Sequence, residues 1–451
     1  MRILLVKPPP SERLYPCGEL FLYEPLELEY VGAGVSDKYE VRILDLRLDK
    51  SLEKHLAEYA PDVVGLTSYV PQVYVTIDLC KKIKAFNPDI FTVVGGHHAT
   101  IAPQDFCDPA IDIIVMGEGV FTFREIVERL QENRDVTEVK GISFYANGQL
   151  KFTPPRDIPD LDSFPFPDRS LTASYRQNYF SEPSIGVFKP LATIRTSKGC
   201  PFRCNFCSQW KVTKGKYLTR NPYSIFEELK TIQEPFVDFA DDETFIDVER
   251  MEKLADLIIE SGMKKVFTAS VRSDTVIKHP ELFEKWKRAG MKGVLIGAES
   301  NRPEVLEYFK KKNTIGNNEK AISLLKKIGM RIDASFIVPP DYDLEDFDNL
   351  ANYIKGLEVD FVMCIPLTPL PGTDLYEELK DRLTTTDLEF FDLSHMVLPT
   401  KLPLKKFYRE LAYLIYRTNK VLGENYEQSH VQKFMTFYKE LRNRYLHHQT
   451  Q

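Results

Sequence analysis

Short apolar runs separated by amphipathic stretches organise the first part of this chain. Runs at 3–6, 41–44, 63–66, 91–94 and 113–115 are rich in Val and Ile and too short for helices, so they predict strands. Residues 76–86 and 123–133 place apolar side chains at helical spacing. That alternation predicts a parallel, doubly wound sheet whose ligand site lies at the carboxyl ends of its strands. Residues 142–152 read as a hairpin on the Asn147-Gly148 turn, and the proline-rich 154–167 as an extended linker able to strap the first domain across the second.

A second alternation begins at Leu191, with strands predicted at 192–195, 236–240, 266–270, 293–297, 332–337 and 361–366 and helices at 225–232, 248–261 and 317–328. Six such repeats suggest a partial (β/α)6 barrel, with its chemistry on the carboxyl face. From 385 the chain is expected to be largely helical, Phe407, Leu411, Leu414 and Ile415 sharing one face of an amphipathic run. The predicted fold class is therefore α/β, in four segments: a doubly wound, Rossmann-like domain (1–138), a hairpin and linker (139–185), a barrel (186–384) and a helical C-terminal region (385–451).

Composition narrows the function classes. With 43% hydrophobic and 28% charged residues over 451 positions, the chain reads as an ordinary globular protein. A net charge of -7 gives no basic footprint for nucleic acid, and the Lys310-Lys311-Lys312 run reads as a solvated helix end. No apolar stretch is long enough to span a bilayer, although peripheral membrane contact stays open. Residues 1–7 run into three prolines and do not read as a signal peptide, and the seven cysteines, three of them clustered, suit a reducing compartment. A cytoplasmic location is expected.

The cluster is Cys200, Cys204 and Cys207. Three thiolates on one loop can hold three irons of a cubane and leave the fourth open, whereas a structural zinc site wants a fourth ligand nearby. None follows, and Cys17, Cys80, Cys107 and Cys364 are scattered. Three unconnected buried thiols are the bland rival. The C-x3-C-x2-C spacing, preceded by Lys198-Gly199 and carrying Phe206 before the last cysteine, resembles the signature of the radical S-adenosylmethionine enzymes. The resemblance implies a 4Fe-4S cluster whose open iron chelates the methionine end of S-adenosylmethionine, reductive cleavage to a 5'-deoxyadenosyl radical, and an external low-potential electron donor.

By the same resemblance, several strand ends of the barrel carry the S-adenosylmethionine site. Asp241, Asp242 and Glu243 are candidates for the methionyl amino group, and which of them makes the contact is open; Asp242 suits a helix N-cap equally well. Ser270 and Arg272 follow the third strand, where a guanidinium suits a carboxylate. Glu299 ends the fourth, as a ligand contact or a structural ion pair. The loop 367–373 is expected to shape the rim. Tyr217, Arg220 and His395 are weaker candidates, the last within a tail segment, 391–400, that faintly resembles the hopanoid C-3 methylases.

In the first domain, Thr67-Ser68-Tyr69, Gly95-Gly96-His97 and Gly117-Glu118-Gly119 follow the third, fourth and fifth strands, and glycines there let a bulky ligand approach the backbone. The pattern resembles the cobalamin-binding domain that precedes many radical S-adenosylmethionine domains. One departure is plain: where the methionine synthase and mutase domains place a cobalt-ligating histidine after the first strand, this chain has Lys7-Pro8-Pro9-Pro10-Ser11. The whole resembles a cobalamin-binding radical S-adenosylmethionine enzyme of the group that includes hopanoid C-3 methylases and anaerobic magnesium-protoporphyrin cyclases. It implies methylation of an unactivated carbon in a small-molecule or lipid substrate, with radical cyclisation or carbon–carbon coupling as the first alternative and a non-catalytic iron-sulfur or corrinoid sensor as the second.

Overall fold

A computed structural model describes residues 1–14, 21–181 and 189–419; Cys17, the boundary between linker and barrel, and the tail from 420 lie outside the described residues. Strands β1 (Arg2–Lys7), β2 (Glu40–Asp45), β3 (Val63–Thr67), β4 (Phe91–Gly95) and β5 (Ile113–Val115) form a parallel sheet in the order β2-β1-β3-β4-β5. Their continuous Val and Ile runs follow from burial on both faces. Ile3, Leu5 and Val93 pack toward the helices Leu26–Ala33 and Gly119–Gln131, while Leu4, Val6 and Val94 pack toward Leu52–Tyr59 and Val73–Phe86. The order reverses at β1 and β3, which opens a crevice above their carboxyl ends.

The hairpin of β6 (Ile142–Ala146) and β7 (Gln149–Phe152) forms on a turn with both Asn147 and Gly148 at positive φ. It does not stand in a connection: β6 pairs antiparallel with β5, so the hairpin widens the first sheet to seven strands.

Six parallel strands in sequence order make the second unit: β8 (Leu191–Ile194), β9 (Phe236–Phe239), β10 (Val266–Val271), β11 (Met291–Glu299), β12 (Arg331–Val338) and β13 (Phe361–Pro366). Alternation along them separates two environments. Val237, Phe239, Phe267, Ala269, Val271, Val294 and Ile296 join the core beneath the outer helices, leaving Asp238, Thr268 and Ser270 to face the barrel interior. The sheet does not close, and β8 is its edge.

The chain around residues 21–24 and 168–181 covers that edge. Leu191 N donates to the Tyr179 carbonyl at 3.1 Å, while Thr193 donates from its backbone N and from Oγ1 to Glu24 Oε1 at 2.5 and 2.9 Å. Phe21–Leu22 pairs antiparallel with Phe180–Ser181 beside it. Buried charges tie the same segments together: Arg176 meets Glu24, Glu29 (3.2 Å) and Glu234 (2.5 Å), and Arg169 meets Glu228 (2.9 Å), which also pairs with Arg220 (2.5 Å). The proline-rich linker bridges as expected, Asp162 accepting from Asn221 N (3.0 and 2.8 Å) and Phe164 packing on Tyr30, and the strap continues downstream at 168–181.

Residues 385–403 depart from the expected helix. Between 385 and 403 only the short turn Leu388–Phe390 is helical, and the helix proper is Leu404–Asn419. Pro399 and Pro403 interrupt the run, and Phe390, Phe391 and Val397 instead pack irregularly on Leu14 and Val70 of the first domain. Arg13 adds ion pairs to Asp387 (2.8 Å) and Glu389 (2.7 Å). The rim loop docks there too: Gly372 has φ +83 and sits so close to Ile101 that any side chain would collide with it. Among the described residues, no helix is long and apolar enough to cross a membrane.

Candidate active site

The cysteine loop leaves the top of β8 and is fastened from β9. Asp241 accepts from Thr196 N (2.7 Å), Thr196 Oγ1 and Ser197 N (2.8 Å), and Asp242 accepts from Gly199 N at 2.7 Å. Both carboxylates are therefore committed to holding the loop. Gly199, at φ +88, lies against the Lys216 carbonyl and Thr213, which leaves no room for a side chain before Cys200.

Glu243 differs from its two neighbours. Its side chain is 2% exposed and Oε1 has no hydrogen-bond partner. Burial pushes its carboxyl up to about 8, against the pull of Arg272 and Lys311. A buried carboxylate oxygen that no donor reaches, close to Cys200, is suited to receive a ligand cation. Of the three candidates for an amino group it is the one with a buried oxygen that no donor reaches.

The other barrel residues form the frame. Arg272 lies over the Phe202 ring at 3.6 Å and spends Nε on Asp274 (2.9 Å) and Nη2 on the carbonyls of Lys311 and Lys312 (3.1 and 3.3 Å), so two of its three nitrogens are held by protein. Glu299 pairs with Lys311 Nζ at 2.6 Å, and its positive φ of 64 falls at an irregularity where β11 leaves its register with β12. Lys311, read as a solvated helix end, is instead 8% exposed and turned into this site. Ser270 faces the barrel interior, and Phe206 packs edge-on against Phe309 at 5.2 Å. Tyr217 donates to the Glu243 carbonyl (3.0 Å), and Arg220 belongs to the buried domain contact. His395 is buried against Asp392 (3.0 Å) and Phe390.

The donor set fits a cubane. The three thiols share one fastened loop; burial pushes Cys200 up to about 11, Cys207 up to about 12 and Cys204 upward, so each awaits a positive centre to ionise it. Among the described residues no group of three or more His, Cys, Asp or Glu could hold a single metal ion. A cubane asks for something else, one thiolate on each of three irons.

The first domain faces this loop across a half-open cavity of about 210 Å3. Thr67, Gly95, Gly96, His97, Gly117, Glu118 and Gly119 all line it. Gly96, at φ +102, approaches Ser68 N so closely that a Cβ would lie 2.7 Å from it, a cradle only glycine permits. Ser68 is turned away, its hydroxyl in the interior with Thr76 (3.1 Å), and Tyr69 stacks on His97. His98 is likewise turned inward, to Asp105 (2.7 Å). At the end of β1, Lys7 pairs with Glu27 (2.5 Å) under the Tyr69 ring; an ammonium has no lone pair for a metal.

Two contacts join cavity and cysteine loop. His97 Nε2 bonds Ser208 Oγ, next to Cys207, at 2.8 Å, and Lys198, two residues before Cys200, pairs with Glu118 at 2.7 Å. Burial holds the His97 imidazole down at about 4, hence neutral. Neither Ser208 nor the pairing of Lys198 was marked by any sequence pattern.

Comparison with known proteins agrees with both halves. A B12 binding domain matches residues 20–127 and the Radical SAM superfamily matches 194–354. The hopanoid C-3 methylase of Methylococcus capsulatus is 32% identical over 421 residues, covering 91% of this chain and 79% of that protein. The anaerobic magnesium-protoporphyrin IX monomethyl ester cyclase of Rubrivivax gelatinosus is 30% identical over 360 residues, covering 77% and 63%. In fold, the chain is similar to the radical S-adenosylmethionine methyltransferase TsrM from Kitasatospora setae, solved with cobalamin and a 4Fe-4S cluster (TM-score 0.66, 18% identity, 85% of this chain and 76% of that one). Glycine cradle, fastened cysteine loop and sequence kinship converge: the chain belongs to the cobalamin-binding radical S-adenosylmethionine enzymes.

Proposed function

We propose that this enzyme methylates an unactivated carbon of a small-molecule or lipid substrate, drawing electrons from an external low-potential donor. The observation that carries this reading is the shared wall between the two cofactor sites: the His97–Ser208 and Lys198–Glu118 contacts place the corrin cavity directly against the cysteine loop. The similarity to a hopanoid C-3 methylase supports it. When bound, the cluster and corrin supply hydrogen abstraction from carbon and delivery of a methyl group. The protein's part is to orient them. Asp241 and Asp242 fix the cysteine loop, Glu243 receives the methionyl ammonium, and the glycine turns admit the corrin.

Glu243→Gln keeps the shape of the side chain and removes the charge it takes on when a cation binds beside it. S-adenosylmethionine affinity, read by equilibrium dialysis on the reconstituted protein, is expected to fall about 10- to 100-fold, the worth of one charge-assisted hydrogen bond. The iron-sulfur absorption should be unchanged. An unaltered affinity would return the assignment to Asp241 or Asp242.

The function itself is tested anaerobically, with reconstituted cluster, hydroxocobalamin, S-adenosylmethionine and a strong reductant. Formation of both 5'-deoxyadenosine and S-adenosylhomocysteine is expected. Deoxyadenosine alone would favour cyclisation or coupling, the reading that similarity to the cyclases suggests. Neither product would defeat both.

A further inference from the structure

Between residues 183 and 226 the chain carries eight Lys and Arg and no Asp or Glu, on a protein whose net charge is -7. The cysteine loop lies within that stretch. Folding spends part of the excess: Lys198 and Arg195 share Glu118 (2.7 and 3.9 Å), Lys211 takes Asp374 (2.6 Å) and Arg220 takes Glu228. Arg203, Lys214 and Lys216 are exposed, and no carboxylate of the described residues comes within 4.0 Å of them.

These three cations gather around one turn. Lys214 and Gly215, at φ 54 and 74, set Lys214 and Lys216 on either side of the glycine, and a Cβ on Gly215 would lie 3.4 Å from Arg203 Nη2. The guanidinium therefore rests on the turn between the two lysines. It also lies 5.7 Å from the centre of the Trp210 ring, and Trp210 donates from Nε1 to the Cys204 carbonyl at 3.1 Å. The basic face is thus built directly on Cys204. The loop's contacts with the first domain run through His97–Ser208 and Lys198–Glu118, in which none of the three takes part.

Resting on the reading that electrons come from an external low-potential donor, we propose that Arg203, Lys214 and Lys216 are the docking surface for an acidic protein carrying a one-electron redox centre. Charge argues for that class of partner. An acidic donor is repelled by the protein as a whole and attracted by this face, so attraction and delivery to the cluster coincide. Three cations on an acidic chain make a poor footprint for nucleic acid. In the step itself the donor's centre loses one electron and the oxidised cluster gains it; no bond forms or breaks and no proton moves.

The test uses the full-length, cluster-reconstituted protein and two reductants: reduced flavodoxin as the acidic donor, and reduced methyl viologen, a small cation that needs no docking surface. Cluster reduction is followed by stopped-flow absorption, and binding of oxidised flavodoxin by calorimetry. Lys214→Glu combined with Lys216→Glu is expected to slow reduction by flavodoxin about 10- to 100-fold at low salt, within the range of electrostatic steering, and to weaken flavodoxin binding. Added salt should slow the wild type and not the variant. Reduction and S-adenosylmethionine cleavage driven by methyl viologen should persist in the variant, and Lys214→Arg combined with Lys216→Arg should behave as wild type. Reduction by flavodoxin at the wild-type rate in the charge-reversed protein, or equal losses with both reductants, would overturn the docking surface. So would a wild type that methyl viologen reduces and flavodoxin does not, an outcome that leaves the proposed function standing. Absence of S-adenosylmethionine cleavage with either reductant would sink that function and the docking with it.

Discussion

Cys204→Ala should abolish the iron-sulfur absorption and 5'-deoxyadenosine formation together, down to the detection limit, while hydroxocobalamin still binds. Cys204 is 7% exposed and lies among Lys311, Arg272 and Glu299. Its loop is fastened independently of it, by Asp241, Asp242 and the space reserved at Gly199, so the mutation removes a ligand and not the loop. Two thiolates remain, and burial holds both as thiols until a positive centre binds. The cavity lined by Gly96 and Gly117 does not include Cys204, which makes corrin binding the internal control. Electron paramagnetic resonance of the reduced protein reads the cluster. A variant that kept both the signal and the cleavage would refute the site.

The second large effect falls on stability. Glu24→Ala is expected to cost about 3–5 kcal/mol, the range for a broken buried ion pair. Glu24 is 4% exposed; it meets Arg176 and takes both donors of Thr193 on the barrel's edge strand. Its removal leaves a buried guanidinium short of a partner and two donors unpaired. A lowered urea midpoint, read by intrinsic fluorescence and by circular dichroism because two domains need not unfold together, measures it. Replacing Glu24 by Gln, which can still accept from Thr193, should recover part of the loss. A shift within about 0.5 kcal/mol would mean that the network contributes little.

The strands of the first sheet were legible because burial on both faces writes short apolar runs, and the Asn147-Gly148 turn announced its hairpin. Which sheet the hairpin joined was not legible, since its pairing with β5 is a contact distant in sequence. The Leu26–Ala33 helix escaped notice for a different reason: Leu26, Leu28, Glu29 and Tyr30 are all buried, so no polar face reveals the period. The 385–403 segment misled because apolar content was read as helix where it serves irregular packing across two domains. At the site, spacing alone revealed the three cysteines. Asp241, Asp242 and Glu243 look alike in sequence, and only the hydrogen bonds separate the two that fasten the loop from the one with a buried oxygen that no donor reaches. Lys311 and Arg195 had no local signature, because their partners come from other strands or the other domain.

The ribbon along β8 constrains how this enzyme can be taken apart. An open sheet edge with free N–H and C=O groups is a template for strand addition by another chain. Here Glu24 and the Tyr179 carbonyl occupy donors of that edge, and both lie upstream of the barrel in sequence. A barrel expressed alone would carry β8 bare and invite association through it. Chimaeras that exchange the corrin domain between relatives need their junction placed to keep residues 21–24 and 168–181 matched to the recipient barrel, so the unit of exchange is spatial and not a single stretch of gene.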